Sequence, residues 1–265
     1  MGVRLVAFDM DGTMLTSGKE LPPGIEGEIR RLHDAGIAVA AASGRFYSTV
    51  RGMFPGCVDC LSCIGCNGHE VYVEGRQVFS LTFDDDTVRR AVGFARDRGG
   101  IVPILFTSTE GQAVADAGDV ESWRRRAEDE YGPFRVVSEA DLSEPIIKIS
   151  LFSPQGRGDT AEYMNRRSSA LAQDVSWVPT SDWTVDACLE GMNKGRGLAI
   201  LAERLGVDMA DTMAIGDHMN DLEMIRAAGA GVAMANAIPE VKAASDRVSP
   251  YTNDEYGVLR EFERL

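Results

Sequence analysis

The sequence predicts an α/β fold, in which a parallel β-sheet covered by helices on both faces is interrupted by an inserted α+β domain. The first observation behind this prediction lies in the outer parts of the chain. There, short runs that are apolar throughout alternate with segments whose apolar residues follow helical spacing, the pattern of parallel strands buried on both faces. The second observation lies in the middle, where polar loops are longer and charged helices alternate with further apolar runs.

The N-terminal segment predicts a β-α-β unit. Leu5 to Phe8 is an apolar run that ends at an acidic loop, and Ile37 to Ala42 is a second run that ends at a polar turn. Between them, Ile25, Ile29 and Leu32 follow helical spacing and precede a glycine, which indicates an amphipathic helix and its end. Two strands joined by a helix are expected to lie parallel in one sheet.

The C-terminal segment continues this alternation. Its predicted elements are a helix over Gly197–Leu205, a strand over Met213–Ile215, a helix over Leu222–Ala228 and a strand over Gly231–Met234. We expect these strands to join the N-terminal ones in the same sheet.

The middle of the chain predicts a second domain. Its expected strands are Ile101–Phe106, Ile146–Phe152 and Val175–Val178, and its expected helices are Thr87–Arg98 and Asp159–Ala172. The core is therefore expected to be discontinuous. Residues 1–80 and 186–265 form the predicted core, and residues 81–185 form the predicted insertion.

Composition excludes several classes of protein. The 265 residues are 44% hydrophobic and 26% charged, unlike a disordered chain or a disulfide-dependent mini-protein. Lys and Arg number 27 against 41 Asp and Glu, so the net charge is −14, and we expect neither nucleic acid nor a membrane as a partner. The first apolar run is too short for a signal peptide, and no run reaches the ~18 residues of a membrane span. We therefore expect a cytoplasmic protein.

Acidic residues follow two of the predicted strands. The first set is Asp9-Met10-Asp11-Gly12-Thr13, and the second is Gly216-Asp217-His218-Met219-Asn220-Asp221. Loops at the carboxyl ends of parallel strands form the ligand-binding crevice of such sheets, and carboxylates there suit Mg²⁺. The first set alone is equally compatible with a polar turn. Its recurrence after a second strand favours a site.

Two further groups could complete this site. Ser43-Gly44-Arg45 follows the second predicted strand and offers an anion a hydroxyl, a backbone amide and a guanidinium group. Lys194 lies just before a predicted helix and offers a cation. By themselves, these residues are also typical of an ordinary strand-to-helix turn and of a solvated surface lysine.

Taken in order, these motifs resemble those of the haloacid dehalogenase superfamily of phosphohydrolases, and more closely its Cof-type branch. Further matches are Asn67-Gly68, Asn236-Ala237 and Asn253-Asp254-Glu255-x-Gly257. Ser43 stands where threonine is common, which preserves the hydroxyl group. The resemblance implies a Rossmann-like core with a third strand over Leu61–Cys66, and an inserted large α/β cap that covers the cleft.

The resemblance also implies a role for each motif residue. Asp9 would be the nucleophile that forms an aspartyl-phosphate, and Asp11 would protonate the leaving oxygen and then activate water. Lys194 would offset the charge that builds up on the transferred phosphoryl group. The implied phosphate- and substrate-binding residues are Gly12, Thr13, Ser43, Gly44, Arg45, Asn67, Asn220 and Lys194. The implied Mg²⁺ ligands are Asp9, Asp11 through its backbone carbonyl, Asp217 and Asp221, the last either beside Asp217 or supporting it.

The implied function is a Mg²⁺-dependent phosphatase acting on a small phosphorylated metabolite, such as a sugar phosphate. Two alternatives stay open. A phosphomannomutase-like enzyme would retain the phosphoryl group, although Ser43-Gly44-Arg45 is more similar to phosphatases. A non-catalytic binding or regulatory protein could keep the fold, although every chemical position of the motifs is filled. We expect a monomer or a homodimer.

Cys57, Cys60, Cys63 and Cys66 repeat every third residue. Zinc sites usually separate two cysteine pairs by a dozen or more residues, and equal gaps differ from a ferredoxin run. We interpret the four cysteines as buried apolar thiols, with a redox role left open. Lys148 stands among isoleucines on a predicted strand. It could contact a substrate anion or extend from an edge strand to solvent.

Overall fold

The computed structural model describes residues 2–107, 110–115, 120–131, 133–139, 142, 145–168, 175–179 and 181–265. The chain forms two units. The core unit comprises Met1–Ser80 and Met192–Leu265, and the inserted unit comprises Leu81–Gly191.

The described residues contain strands and helices that we number in chain order. The strands are β1 Leu5–Asp9, β2 Ala38–Ala42, β3 Leu61–Gly65, β4 Glu70–Val73, β5 Arg76–Ser80, β6 Val102–Phe106, β7 Gly111–Val114, β8 Phe134–Val137, β9 Lys148–Phe152, β10 Val175–Pro179, β11 Thr184–Leu189, β12 Thr212–Gly216, β13 Ala230–Ala233 and β14 Arg247–Val248. The α-helices are α1 Ile25–Asp34, α2 Tyr47–Met53, α3 Asp85–Arg98, α4 Val120–Tyr131, α5 Thr160–Ser168, α6 Lys194–Leu205, α7 Leu222–Ala227, α8 Pro239–Ala244 and α9 Gly257–Phe262.

The core unit contains an eight-stranded sheet in the order β14-β13-β12-β1-β2-β3-β4-β5. The first six strands of this order run parallel, and β4 and β5 extend the sheet as an antiparallel pair. Every residue of β1, β3 and β12 is buried. This continuous burial follows from helices on both faces and confirms the predicted α/β fold.

Helices α1 and α9 pack together in the core unit, while α6 packs on α7 and α7 on α8. In α1, Ile25, Ile29 and Leu32 are the buried residues, as their spacing predicted. Phe8 of β1 meets Phe54 and Phe262 edge to face, with ring centroids 6.4 and 5.7 Å apart. These aromatic contacts anchor the central strand beneath the loop that follows it.

The inserted unit contains a sheet in the order β10-β11-β9-β6-β7-β8 among its described residues. The strands are antiparallel except for the parallel pair β7 and β8. Helix α3 packs on β6 and β9, and α5 packs on β10. The unit continues to Gly191 rather than Val185, because β11 pairs with both β9 and β10.

Most predicted elements differ from the observed ones only at their ends. Helix α6 begins at Lys194, three residues before the predicted start at Gly197, and β3 ends at Gly65 instead of Cys66. Residues 169–172 of the predicted helix Asp159–Ala172 lie outside the described residues. No helix in the described part of the chain is long and apolar enough to cross a bilayer.

Cys57, Cys60, Cys63 and Cys66 are all buried and unbridged. Burial raises the pKa of the Cys57 thiol to about 12 and that of the Cys63 thiol further still. The thiols of Cys57 and Cys63 therefore stay protonated and unreactive at neutral pH, and the burial of all four agrees with the interpretation of these cysteines as buried thiols.

Candidate active site

Loops that follow four parallel strands meet at one edge of the core sheet. Asp9 is the last residue of β1 and residues 10–13 follow it, residues 43–45 follow β2, Asn67 follows β3 and residues 217–221 follow β12. These four strands are adjacent and parallel, so their carboxyl ends share an edge. The structure thus brings the predicted loop motifs together.

Lys194, the first residue of α6, joins two of these loops and is fully buried. Its Nζ contacts the carboxylate of Asp9 and lies 2.6 Å from Oδ1 of Asp221. The helix begins here because the side chain of Asn193 accepts a hydrogen bond from the backbone N–H of Arg196 (2.9 Å). The lysine that the sequence placed before a helix therefore pairs with both acidic loops.

Asp221 organises the loop after β12. Its Oδ2 accepts hydrogen bonds from the backbone N–H groups of Asp217 (2.9 Å) and His218 (3.1 Å), while Oδ1 accepts one from Lys194. Gly216 makes room for this carboxylate, because a Cβ there would lie 2.5 Å from the Cβ of Asp221. These contacts favour the supporting position for Asp221 over direct metal binding.

Asp9, Asp217 and Asp221 form an acidic group in which one carboxylate oxygen of each lies within 4.8 Å of the others. Burial and the charge of Asp221 raise the pKa of Asp9 well above its ordinary value, and burial raises the pKa of Asp217 to about 6. When ionised, these three carboxylates and the ammonium group of Lys194 carry two net negative charges. A divalent cation would balance that charge, and oxygen donors suit Mg²⁺. The residues present fit the implied Mg²⁺ site.

The loop after β1 is fitted closely to Asp217. The hydroxyl of Thr13 donates a hydrogen bond to Oδ1 of Asp217 (2.8 Å). Gly12 has a φ of 82°, and a Cβ there would collide with the Asp217 carboxylate. Glycine is therefore required at this position both for backbone conformation and for space.

The side chain of Asp11 lies apart from this acidic group. Arg45 donates to both of its oxygens, through Nε and Nη2 at 2.8 Å each, and Nζ of Lys19 lies 2.6 Å from Oδ1. Partial burial acts to raise the pKa of Asp11, but the hydrogen bonds from Arg45 and Lys19 outweigh it and lower the pKa to about 2. Asp11 is therefore ionised here, and the sequence did not predict its contact with Lys19.

The predicted phosphate-binding residues after β2 and β3 form a second cluster. The backbone O of Ser43 accepts from the N–H of Asn67 (3.0 Å), and the Ser43 hydroxyl accepts from the N–H of Arg45 (3.1 Å). A Cβ at Gly44 would lie 3.3 Å from Nδ2 of Asn67. The amide of Asn220 in turn donates to Oδ1 of Asn67 (3.4 Å). Asn67 thus connects the loops after β2 and β12.

Two asparagines that the sequence left without a role fix the loop after β1. Asn236 donates to the backbone O of Gly12 (2.8 Å), and Asn253 donates to the backbone O of Leu15 (2.9 Å). Oδ1 of Asn236 accepts from the N–H of Asn253 (3.1 Å), and Asp254 accepts two hydrogen bonds from residue 17. The sequence signal for these two asparagines was that both lie in the further motifs that match the haloacid dehalogenase superfamily.

In the inserted unit, Lys148 is buried rather than extended to solvent. Its Nζ lies 3.0 Å from Oδ2 of Asp186, whose Oδ1 accepts a hydrogen bond from Ser150 (2.6 Å). Of the two alternatives for Lys148, extension from an edge strand is excluded, because β9 lies between β11 and β6.

Known proteins resemble this chain over its whole length. Phosphatase YwpJ of Bacillus subtilis is 26% identical over 293 aligned residues, covering 99% of this chain and 100% of the relative. The 5-amino-6-(5-phospho-D-ribitylamino)uracil phosphatase YbjI of Escherichia coli is 27% identical, covering 100% of this chain and 97% of the relative. The crystal structure of SMU.1108c from Streptococcus mutans superimposes with a TM-score of 0.88 at 25% identity, covering 99% of this chain and 98% of that one.

The profile of a protein family described as haloacid dehalogenase-like hydrolase matches residues 6–262. This match spans nearly the entire chain and confirms the resemblance that the motifs predicted. The protein belongs to the haloacid dehalogenase-like hydrolase family.

Proposed function

We propose that the protein is a Mg²⁺-dependent phosphatase that hydrolyses small phosphomonoesters through an aspartyl-phosphate intermediate. The observation that carries the proposal is the buried carboxylate of Asp9, which lies at the end of β1 in contact with Lys194 and beside Asp217 and Asp221. A nucleophile, a cation and metal-binding carboxylates are the groups that phosphoryl transfer needs at one point.

In the first proposed step, the carboxylate of Asp9 attacks phosphorus and the bond from phosphorus to the leaving oxygen breaks. Lys194 holds the Asp9 carboxylate in place and offsets charge on the phosphoryl oxygens. In the second step, water attacks phosphorus, inorganic phosphate leaves and the carboxylate is restored. Mg²⁺ held by Asp9, Asp217 and the backbone carbonyl of Asp11 would supply further positive charge to the phosphate group.

Asp11 is proposed to give a proton to the leaving oxygen and later to take one from water. Its pKa of about 2 next to Arg45 and Lys19 keeps it ionised, so it must leave these cations and gain a proton before it can act as an acid. Arg45 and Lys19 are then available to the substrate. The proposed acid therefore depends on an exchange of ion pairs.

The phosphate group is proposed to be bound by the hydroxyls of Thr13 and Ser43, the loop glycines Gly12 and Gly44, and the side chains of Arg45, Asn67 and Asn220. The close packing of these loops supports the assignment. For the substrate, we propose a small phosphorylated metabolite. The name of the relative YbjI specifies such a compound, and the charge of −14 disfavours nucleic acids. The inserted unit is proposed to set the choice among metabolites.

The proposal is tested by phosphate release from a panel of phosphorylated sugars, nucleotides and cofactors, in Mg²⁺ and in EDTA. Asp9→Asn is compared with Asp34→Asn, a matched control because Asp34 is exposed at the end of α1. We expect metal-dependent release that Asp9→Asn abolishes and Asp34→Asn leaves unchanged. Isomerisation of a hexose 1-phosphate without release would instead identify a mutase. If folded protein that binds Mg²⁺ does neither, a binding role replaces catalysis.

A further inference from the structure

Glu70 is a buried carboxyl group that the proposed reaction does not use. It is the first residue of β4 and is 1% exposed. Its Oε1 accepts a hydrogen bond from the hydroxyl of Tyr72 (3.2 Å), and its Oε2 accepts one from the thiol of Cys66 (3.6 Å). The backbone N–H of Tyr47 also donates to this carboxyl group. The donors thus come from β4, from the turn after β3 and from the start of α2.

Two of these segments carry proposed phosphate-binding residues. Helix α2 begins two residues after Arg45, and Cys66 directly precedes Asn67. The backbone N–H of Cys66 donates to the O of Arg45 (3.0 Å), and the N–H of Asn67 donates to the O of Ser43 (3.0 Å). Glu70 therefore lies where the loop after β2 joins the turn after β3.

The turn at this junction has a strained backbone. Cys66 and Asn67 have φ angles of 49° and 53°, in the left-handed region that non-glycine residues rarely adopt. Such conformations persist only where surrounding contacts hold them, and the thiol of Cys66 makes one such contact with Glu70. The segments are also close, because a Cβ at Gly65 would lie 3.3 Å from Oε2 of Glu70 and 3.4 Å from the N of Tyr47.

Packing alone does not explain an acid at this position. Burying a carboxyl group is costly unless hydrogen bonds compensate for the lost water. Burial raises the pKa of Glu70, and the hydrogen bonds from Tyr72, Cys66 and Tyr47 offset only part of that effect. An apolar side chain on this strand would avoid the cost but would leave these three donors without their acceptor.

We propose that Glu70 is a positioning residue for phosphate binding. Its carboxyl group fixes the loop after β2 against the turn after β3, so that Ser43, Arg45 and Asn67 hold one geometry toward the phosphate group. The inference rests on the proposed phosphatase function, since it assigns those three residues to the substrate.

The test compares wild type, Glu70→Leu, Glu70→Gln and Tyr72→Phe, with Glu240→Gln as control because Glu240 is exposed on α8. The measurements are kcat and KM for the best substrate, binding of inorganic phosphate by calorimetry, and Tm. We expect Glu70→Leu to raise KM and the Kd for phosphate about tenfold while kcat changes less than about threefold, because binding is lost equally in the ground and transition states. Gln keeps an acceptor oxygen, so Glu70→Gln should recover part of the loss. Tyr72→Phe removes one donor and should raise KM about twofold to threefold.

A structural role alone would lower Tm and apparent kcat in proportion to the folded fraction and would leave KM and the Kd for phosphate unchanged. That result in Glu70→Leu would overturn the inference. Should Glu70→Leu fail to fold, unchanged KM in both Glu70→Gln and Tyr72→Phe would overturn it equally. Failure of the proposed function is distinct, because wild type itself would then release no phosphate from the panel.

Discussion

Replacing Lys194 by Met tests how far the buried charges stabilise the core unit. Lys194 and Asp221 have fully buried side chains, and Nζ lies 2.6 Å from Asp221 and contacts Asp9 as well. Two unit charges 2.6 Å apart interact by about 6 kcal/mol at an effective dielectric constant of ~20, and the cost of desolvation offsets part of this. Removing one member of a buried pair leaves its partners uncompensated, so we expect Lys194→Met to lower the free energy of unfolding by about 3–5 kcal/mol at pH 7.

The assay is urea unfolding followed by circular dichroism in EDTA. The matched control is Lys242→Met, since Lys242 is half-buried in α8, and we expect it to change the free energy of unfolding by about 0.5 kcal/mol or less. If Lys194→Met costs less than about 1 kcal/mol more than this control, the carboxylates of Asp9 and Asp221 do not depend on the lysine. The reasoning from uncompensated charge would then be refuted.

Two further variants test the site loop and a buried acid. Gly12→Ala should lower the free energy of unfolding by about 1–3 kcal/mol and abolish phosphate release, because the φ of 82° and the Asp217 carboxylate exclude a side chain. The control is Gly18→Ala, since position 18 has no such restriction. Equal effects of the two substitutions on the free energy of urea unfolding would contradict this explanation. For Glu261, burial acts to raise the pKa, but hydrogen bonds, first from Arg247, lower it below its ordinary value of 4.5. The stabilisation from Glu261 is therefore complete above pH 4.5 and is lost as the pH falls through the lowered pKa. Glu261→Gln should be less stable than wild type at pH 7. If the difference between their free energies of unfolding does not shrink toward pH 3, the result would argue against this assignment.

The position of the site was predictable because parallel strands end at one edge of their sheet. The apolar runs before Asp9, Ser43 and Asp217 marked those strand ends by composition alone. The order of these runs along the chain was then enough to predict the core sheet. Lys194 could be assigned only in the company of the other motifs, since its position before a helix is equally typical of a surface lysine.

The orientation of side chains was less predictable. Nothing in the sequence near Asp11 indicates that its side chain pairs with Arg45, 34 residues away, rather than joining the acidic group of Asp9, Asp217 and Asp221. The antiparallel pair β4 and β5 was not predicted either, because β5 is largely exposed and lacks an apolar run. The contact of Glu70 with Cys66 depends on the exact turn between β3 and β4, which residue types do not specify.

The hydrogen bonds from Asn253 to Leu15 and from residue 17 to Asp254 also determine when, during synthesis, the loop after β1 can reach its final structure. These contacts join positions 238 and 237 residues apart. A ribosome that adds about 5–20 residues per second needs about 12 to 48 s to cover that distance. The inserted unit is continuous in sequence, so all of its residues have been synthesised before the loop after β1 receives the partners that fix it. The loop after β1 therefore acquires its final contacts late, although its own residues are made well before those of the inserted unit.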